Sequence, residues 1–143
     1  MLKIPRRMEE VLLMASQRKM REVDIAAKLG VTKQAVSKSL REARARLTQI
    51  FLTVAELLNS DIARINVEKG FMILRNRQTG ARLYVIYVPG QGPLVLFAEK
   101  IECTSLNKPF CEKLVKAAKS WGIVEQYDNL EEAISTIIGR MEE

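Results

Sequence analysis

At 143 residues, with 48% hydrophobic and 28% charged side chains, the chain has the make-up of a soluble globular protein with room for a real core. Its longest apolar runs, such as Leu83–Val88 and Leu94–Ala98, fall far short of the ~20 residues a membrane span needs. The basic start Lys3-Ile4-Pro5-Arg6-Arg7 has no apolar stretch behind it, so neither a secretory signal nor a membrane partner is expected.

With no histidine in the chain, imidazole bases, Ser-His-Asp triads and His-ligated zinc are excluded. The expectation is a non-enzyme with no catalytic residues, no metal and no cofactor. Cys103 and Cys111 are too few for a disulfide framework and are expected to be reduced packing residues of a cytoplasmic protein. The net charge of +6 is uneven. Residues 1–60 hold twelve Lys/Arg against six acids, whereas 61–143 holds eleven of each. That asymmetry predicts an acidic partner, such as nucleic acid, for the N-terminal part.

In chain order, Pro5 and then Met8, Val11, Leu12 and Ala15 at three- to four-residue spacing predict a first helix over 5–17. Val23, Ile25, Ala26 and Leu29 predict a short second helix, stopped by Gly30 as a left-handed cap. Thr32 is the expected N-cap of a third. Over Glu22–Arg41 these features follow a helix-turn-helix pattern: small Ala26 at the crossing, Gly30 in the turn, and Ile25, Leu29, Val31 and Val36 in the wedge. Thr32, Lys33, Gln34, Ser37, Lys38 and Arg41 are expected to face outward, where each can donate to phosphates or base edges. Gln34 suits an adenine edge, and Lys33, Lys38 and Arg41 suit guanine or phosphate; Arg44, Arg46, Arg18 and Lys19 are candidates for backbone phosphates.

The stretch Ile25–Leu47 resembles sigma-factor region 4-type helix-turn-helix domains, including archaeal Tfx-like and bacterio-opsin-activator-like regulators. The Leu-Arg-x-Ala-x-x-x-Leu ending, Leu40 to Leu47, is especially similar to the latter. The resemblance covers about residues 20–50 and implies double-stranded DNA binding by the third helix. Ser39 stands where phage-repressor-type motifs usually have an apolar residue, with Leu40 taking over the packing.

That helix runs on. Val36, Leu40, Ala43, Leu47, Ile50, Val54 and Leu57 repeat at alternating four and three, and neither Gly nor Pro interrupts 32–58. Leu47, Ile50, Phe51, Val54, Leu57 and Leu58 are therefore expected to pair with a second copy in a coiled-coil-like homodimer, with packing on the C-terminal half as the other possibility.

Residues 61–143 read as a small α+β module of unassigned role. Hairpin signals at Glu68-Lys69-Gly70, Asn76–Gly80 and Pro89–Pro93 predict a four-stranded antiparallel meander. A helix over 107–121, a short fifth strand at Ile123–Tyr127 and a last helix capped by Asp128 or Asn129 should follow, with the helices on one face of the sheet. Arg75, Arg77 and Arg82 near one hairpin tip are candidates for a phosphate-gripping wing. The Pro89–Pro93 loop lacks the helix and Lys-Ser pair of a phosphate-binding loop.

The expected fold is thus α+β: residues 1–60 a DNA-binding domain with a long third helix, then a small antiparallel sheet with two C-terminal helices. The expected function is sequence-selective transcription regulation by a homodimer. The alternative is an adaptor whose region 4-like helices dock transcription machinery while the C-terminal module binds a protein. No residue specifies a small-molecule effector.

Overall fold

The computed structural model describes residues 2–143 and has five helices and one four-stranded sheet. Helices α1 (Arg6–Ser16), α2 (Glu22–Leu29) and α3 (Lys33–Leu57) come first. Strands β1 (Ser60–Asn66), β2 (Phe71–Asn76), β3 (Arg82–Val88) and β4 (Gly92–Leu96) follow, then helices α4 (Lys108–Ser120) and α5 (Leu130–Glu142). The sheet is an antiparallel meander in the order β1-β2-β3-β4, with one irregularity at Ile62/Arg64 in edge strand β1.

Local chemistry sets most boundaries. Gly30 takes a left-handed conformation (φ 67°) at the end of α2, and the Val31 amide bonds the Ala26 carbonyl at 3.1 Å. The Thr32 hydroxyl accepts from the Ala35 amide at 3.0 Å to start α3. Asn129 does the same for α5, accepting from the Glu132 amide at 2.8 Å.

Side chains alternate across a strand, so a strand buried along its whole length is covered on both faces. Phe71–Leu74 and Leu83–Val88 are all buried. One layer is α4 and α5, packed on β3 and β2; the other contains α3, which packs on α1, α2 and both edge strands. Two tyrosines of β3 mark the two sides. The Tyr87 hydroxyl donates to Glu9 of α1 (3.0 Å) and accepts from the Ile4 amide (2.9 Å). Three residues back, and so on the opposite face, the Tyr84 hydroxyl donates to Glu142 of α5 at 2.7 Å. The two C-terminal helices share one face of the sheet, as expected, while apolar residues at both parities of β2 and β3 require a second layer on the other side, to which α3 belongs.

Ile123–Tyr127 forms no strand. The Ile123 amide closes the end of α4 on the Ala118 carbonyl at 2.9 Å, and its own carbonyl accepts from Arg140. Ile123 and Val124 are buried as a loop against the core instead. The buried apolar residues of α1–α3, of the sheet and of α4–α5 make up one contiguous cluster.

The seam of α3 faces inward. Leu47, Ile50, Phe51 and Val54 are buried in the chain's own core, Leu58 is partly buried against it, and only Leu57 of the expected pairing residues is largely exposed (73%). Those five are corrected from partner-facing to core residues. The heptad spacing is right, but the surface it fits is supplied by α1 and the sheet. The cysteines are corrected as well, because Cys103 and Cys111 are joined in a disulfide. Asn107 accepts from the Thr104 amide at 2.7 Å, and the turn this makes brings Cys103 over the first turn of α4 with a Cα–Cα distance of 6.2 Å.

Candidate nucleic-acid interface

The first three turns of α3 divide by burial. Val36, Leu40 and Ala43 are buried together with Ile25 and Ala26 of α2. On the other side Lys33, Gln34, Lys38 and Arg41 are exposed, and none of these three cations belongs to an ion pair among the described residues. At 3.6 residues per turn, positions 33, 34, 37, 38 and 41 fall on one continuous strip. Ser37 lies in it half-buried, its hydroxyl donating to Glu22 at the start of α2. Thr32 is exposed, with its hydroxyl occupied as the α3 cap. Arg18 and Lys19, in the link after α1, are also exposed. Val31, expected in the wedge, is 41% exposed, because the residue after the left-handed glycine is turned to solvent.

One of the arginines that the sequence offers as phosphate ligands is already engaged, and so is the neighbouring Arg21. Arg44 pairs with Glu68 of the β1–β2 turn, which ties the middle of α3 to the sheet. Arg21 is held by Asp24 at 3.1 Å, and the hydrogen bond keeps that carboxyl below the usual carboxylate range. Arg46 is exposed.

The wing assignment is corrected by position as well as by pairing. The Arg77 amide donates to the Asn59 carbonyl at 3.1 Å, so the β2–β3 tip sits at the C-terminal end of α3. From Arg41 to Asn59 the rise of ~1.5 Å per residue amounts to roughly 27 Å, too far for that tip to flank the basic strip. Arg77 pairs with Asp61 at 2.9 Å and Arg82 with Glu142 at 2.7 Å; Arg75 is exposed. The Arg82 hydrogen bonds pull the Glu142 carboxyl below its ordinary pKa. Burial, with that carboxylate beside it, pushes the Tyr84 hydroxyl up to about 12.

A second group of cations is also occupied. The carbonyl ends of three helices converge near the β1–β2 turn, and each takes a cation. Lys69 donates to Ser16 and Trp121 carbonyls (3.4 Å each), Arg64 donates to the Met141 carbonyl (2.9 Å), and Arg140 donates to Ile123 just past α4. The Pro89–Pro93 loop is likewise filled from within, since Glu9 accepts from the Gly90 amide at 3.0 Å.

Among the described residues no cluster of three His, Cys, Asp or Glu side chains is placed to hold a metal ion. No described helix is long and apolar enough to cross a membrane. What sequence reasoning missed is the partnering. Asp24, Asp61, Glu68 and Glu142 decide which arginines are spent, and only Asp24 lies close enough in sequence to its partner to have been foreseen. No family model, no curated protein and no solved structure matches the chain.

Proposed function

We propose that the chain is a sequence-selective, double-stranded DNA-binding transcription regulator acting as a homodimer. In this reading α2, the Gly30 turn and α3 act as a helix-turn-helix, with the first half of α3 in the major groove. One observation carries it: the strip Lys33–Gln34–Lys38–Arg41 is open to solvent and free of carboxylate partners. Elsewhere the chain pairs Arg21, Arg44, Arg77 and Arg82 with acids. Collecting like charges on one helix face without neutralising them is unfavourable in isolation and favourable once phosphates arrive, because binding then releases condensed counterions. Gln34 and Arg41 carry the planar donor groups suited to base edges, and Lys33 and Lys38 the point charges suited to phosphate.

The test is a duplex titration at two salt concentrations with wild type and the Lys38→Ala/Arg41→Ala double variant. A base-reading contact is worth about 1–3 kcal/mol, and each lost phosphate contact lowers the salt slope by about one. Both side chains are exposed, so the variant should keep the wild-type melting temperature. Unchanged duplex affinity at both salts overturns the assignment.

A further inference from the structure

With the heptad seam spent on the core, the side of α3 that is left over carries its own pattern. Arg46, Gln49, Thr53 and Glu56 are spaced three, four and three residues and form one ridge, with Leu52 and Leu57 on its flanks. Leu52 is 47% and Leu57 73% exposed. The Thr53 hydroxyl folds back onto the Gln49 carbonyl at 2.9 Å, which keeps the middle of the ridge low. Shallow grooves run along it, one bordered by Leu2 and Lys3 at the Arg46 end and the other closed by Leu57.

We infer that this ridge is where a second copy of the same chain docks, antiparallel to the first about a two-fold axis level with Phe51. The charges select both the occupant and the direction. Arg46 and Glu56 lie five residues to either side of position 51, and neither belongs to an ion pair of its own among the described residues. A two-fold at that level sets Arg46 of each copy against Glu56 of the other, twice over, with Gln49 facing Thr53 and the two Leu52 side chains beside the axis. Lys3, next to Arg46, adds positive charge at the same end. A parallel pairing would set Arg46 against Arg46 and Glu56 against Glu56, and like charges across an interface are strongly disfavoured. Within its own chain Glu56 also feels Arg77 at longer range, a weaker attraction than a direct contact with the opposing Arg46.

The arrangement has a consequence for the proposed function, on which this part of the inference rests. An antiparallel helix pair has its two-fold axis perpendicular to the plane of the two helices. By helical rotation the basic strip centred on Arg41 lies about a quarter turn from the ridge, so both strips face the same way along that axis. Lys38 and Arg41 stand thirteen and ten residues from position 51. At ~1.5 Å per residue the two strips are then roughly 30–40 Å apart, near the ~34–36 Å between half-sites one helical turn apart. A single helix pair buries less than a standard interface, so a dimer with a micromolar Kd is expected in the absence of DNA.

The experiment is sedimentation equilibrium of the full chain from about 1 to 200 µM, without DNA, for wild type, Arg46→Glu, Glu56→Arg and the double reversal. Wild type should be a monomer–dimer equilibrium. Each single reversal makes two like-charge contacts per dimer and should weaken it at least about tenfold, while the double reversal restores it to within about threefold. Leu52→Glu should give a monomer with an unchanged melting temperature. A monomeric wild type, single reversals without effect, or a double reversal that does not restore the dimer each overturns the inference. A parallel titration with half-site-length duplex reads DNA binding without requiring the dimer, so failure of the interface and failure of the DNA reading give different results.

Discussion

Gly30 and Gly70 share one backbone conformation, with φ of +67° and +66°, and sit in opposite surroundings. A Cβ on Gly30 would meet nothing within 4 Å, whereas one on Gly70 would lie 2.1 Å from the Trp121 ring. Trp121 is fully buried there, its indole N–H donating to the Tyr87 carbonyl at 2.7 Å and its ring edge-on to Tyr87 at 6.4 Å. The α2–α3 corner is therefore shaped by the backbone and left open, and the β1–β2 corner is shaped by what is packed into it. The same contrast governs charge. Cations at the α2–α3 corner stand free, and those around the β1–β2 turn are bonded to helix carbonyls or to carboxylates. A surface kept open and unneutralised can receive a partner; one whose donors are already spent contributes to stability instead.

The sharpest way to break this comparison is Gly70→Ala. It combines overpacking against an indole with a positive φ for a residue that has a Cβ, and should cost about 3 kcal/mol or more of folding free energy in urea denaturation. A cost below about 1 kcal/mol would mean that Trp121 is not held where it is described. Next is Cys103→Ser, which removes the cross-link closing the loop onto α4. For so short a loop the loss should be about 2.5 kcal/mol, matched by adding dithiothreitol to wild type and absent when the variant is itself reduced. The smallest effect belongs to Gly30→Ala, where only the left-handed backbone resists, at about 1 kcal/mol by thermal melting. Duplex binding by the folded fraction of that variant should be preserved, since the basic strip stays in place. If Gly30→Ala proves as damaging as Gly70→Ala, the two corners do not differ as described.

Features that depend on near neighbours were legible in the sequence. Thr32 and Asn129 as caps, Gly30 as a stop and the three hairpin connections each follow from chemistry within about four residues, and each is found at its expected place. The fifth strand failed because a run such as Ile123-Val124 signals burial without saying whether a ladder or a loop delivers it. The disulfide was missed because pairing depends on a turn built by Asn107 side-chain bonds. Among the candidate site residues, Lys33, Gln34, Lys38 and Arg41 keep their expected exposure, while Arg44, Arg77 and Arg82 lose their freedom to Glu68, Asp61 and Glu142. The partners of Arg44 and Arg77 lie 24 and 16 residues away, and that of Arg82 lies 60 away.

By itself the sequence determined the five helices and the four paired strands, where most of them start and stop, and where their apolar residues lie, though not that Ile123–Tyr127 is a loop. Those properties are set by backbone conformation, hydrogen bonding and side-chain period over a few residues. Only the tertiary structure decided what covers each apolar face and which charges are cancelled. The seam of α3 could have met a second chain as well as its own sheet, since spacing specifies a complementary surface and not its owner. Likewise, an arginine is free or spent according to which carboxylate the folded chain brings beside it.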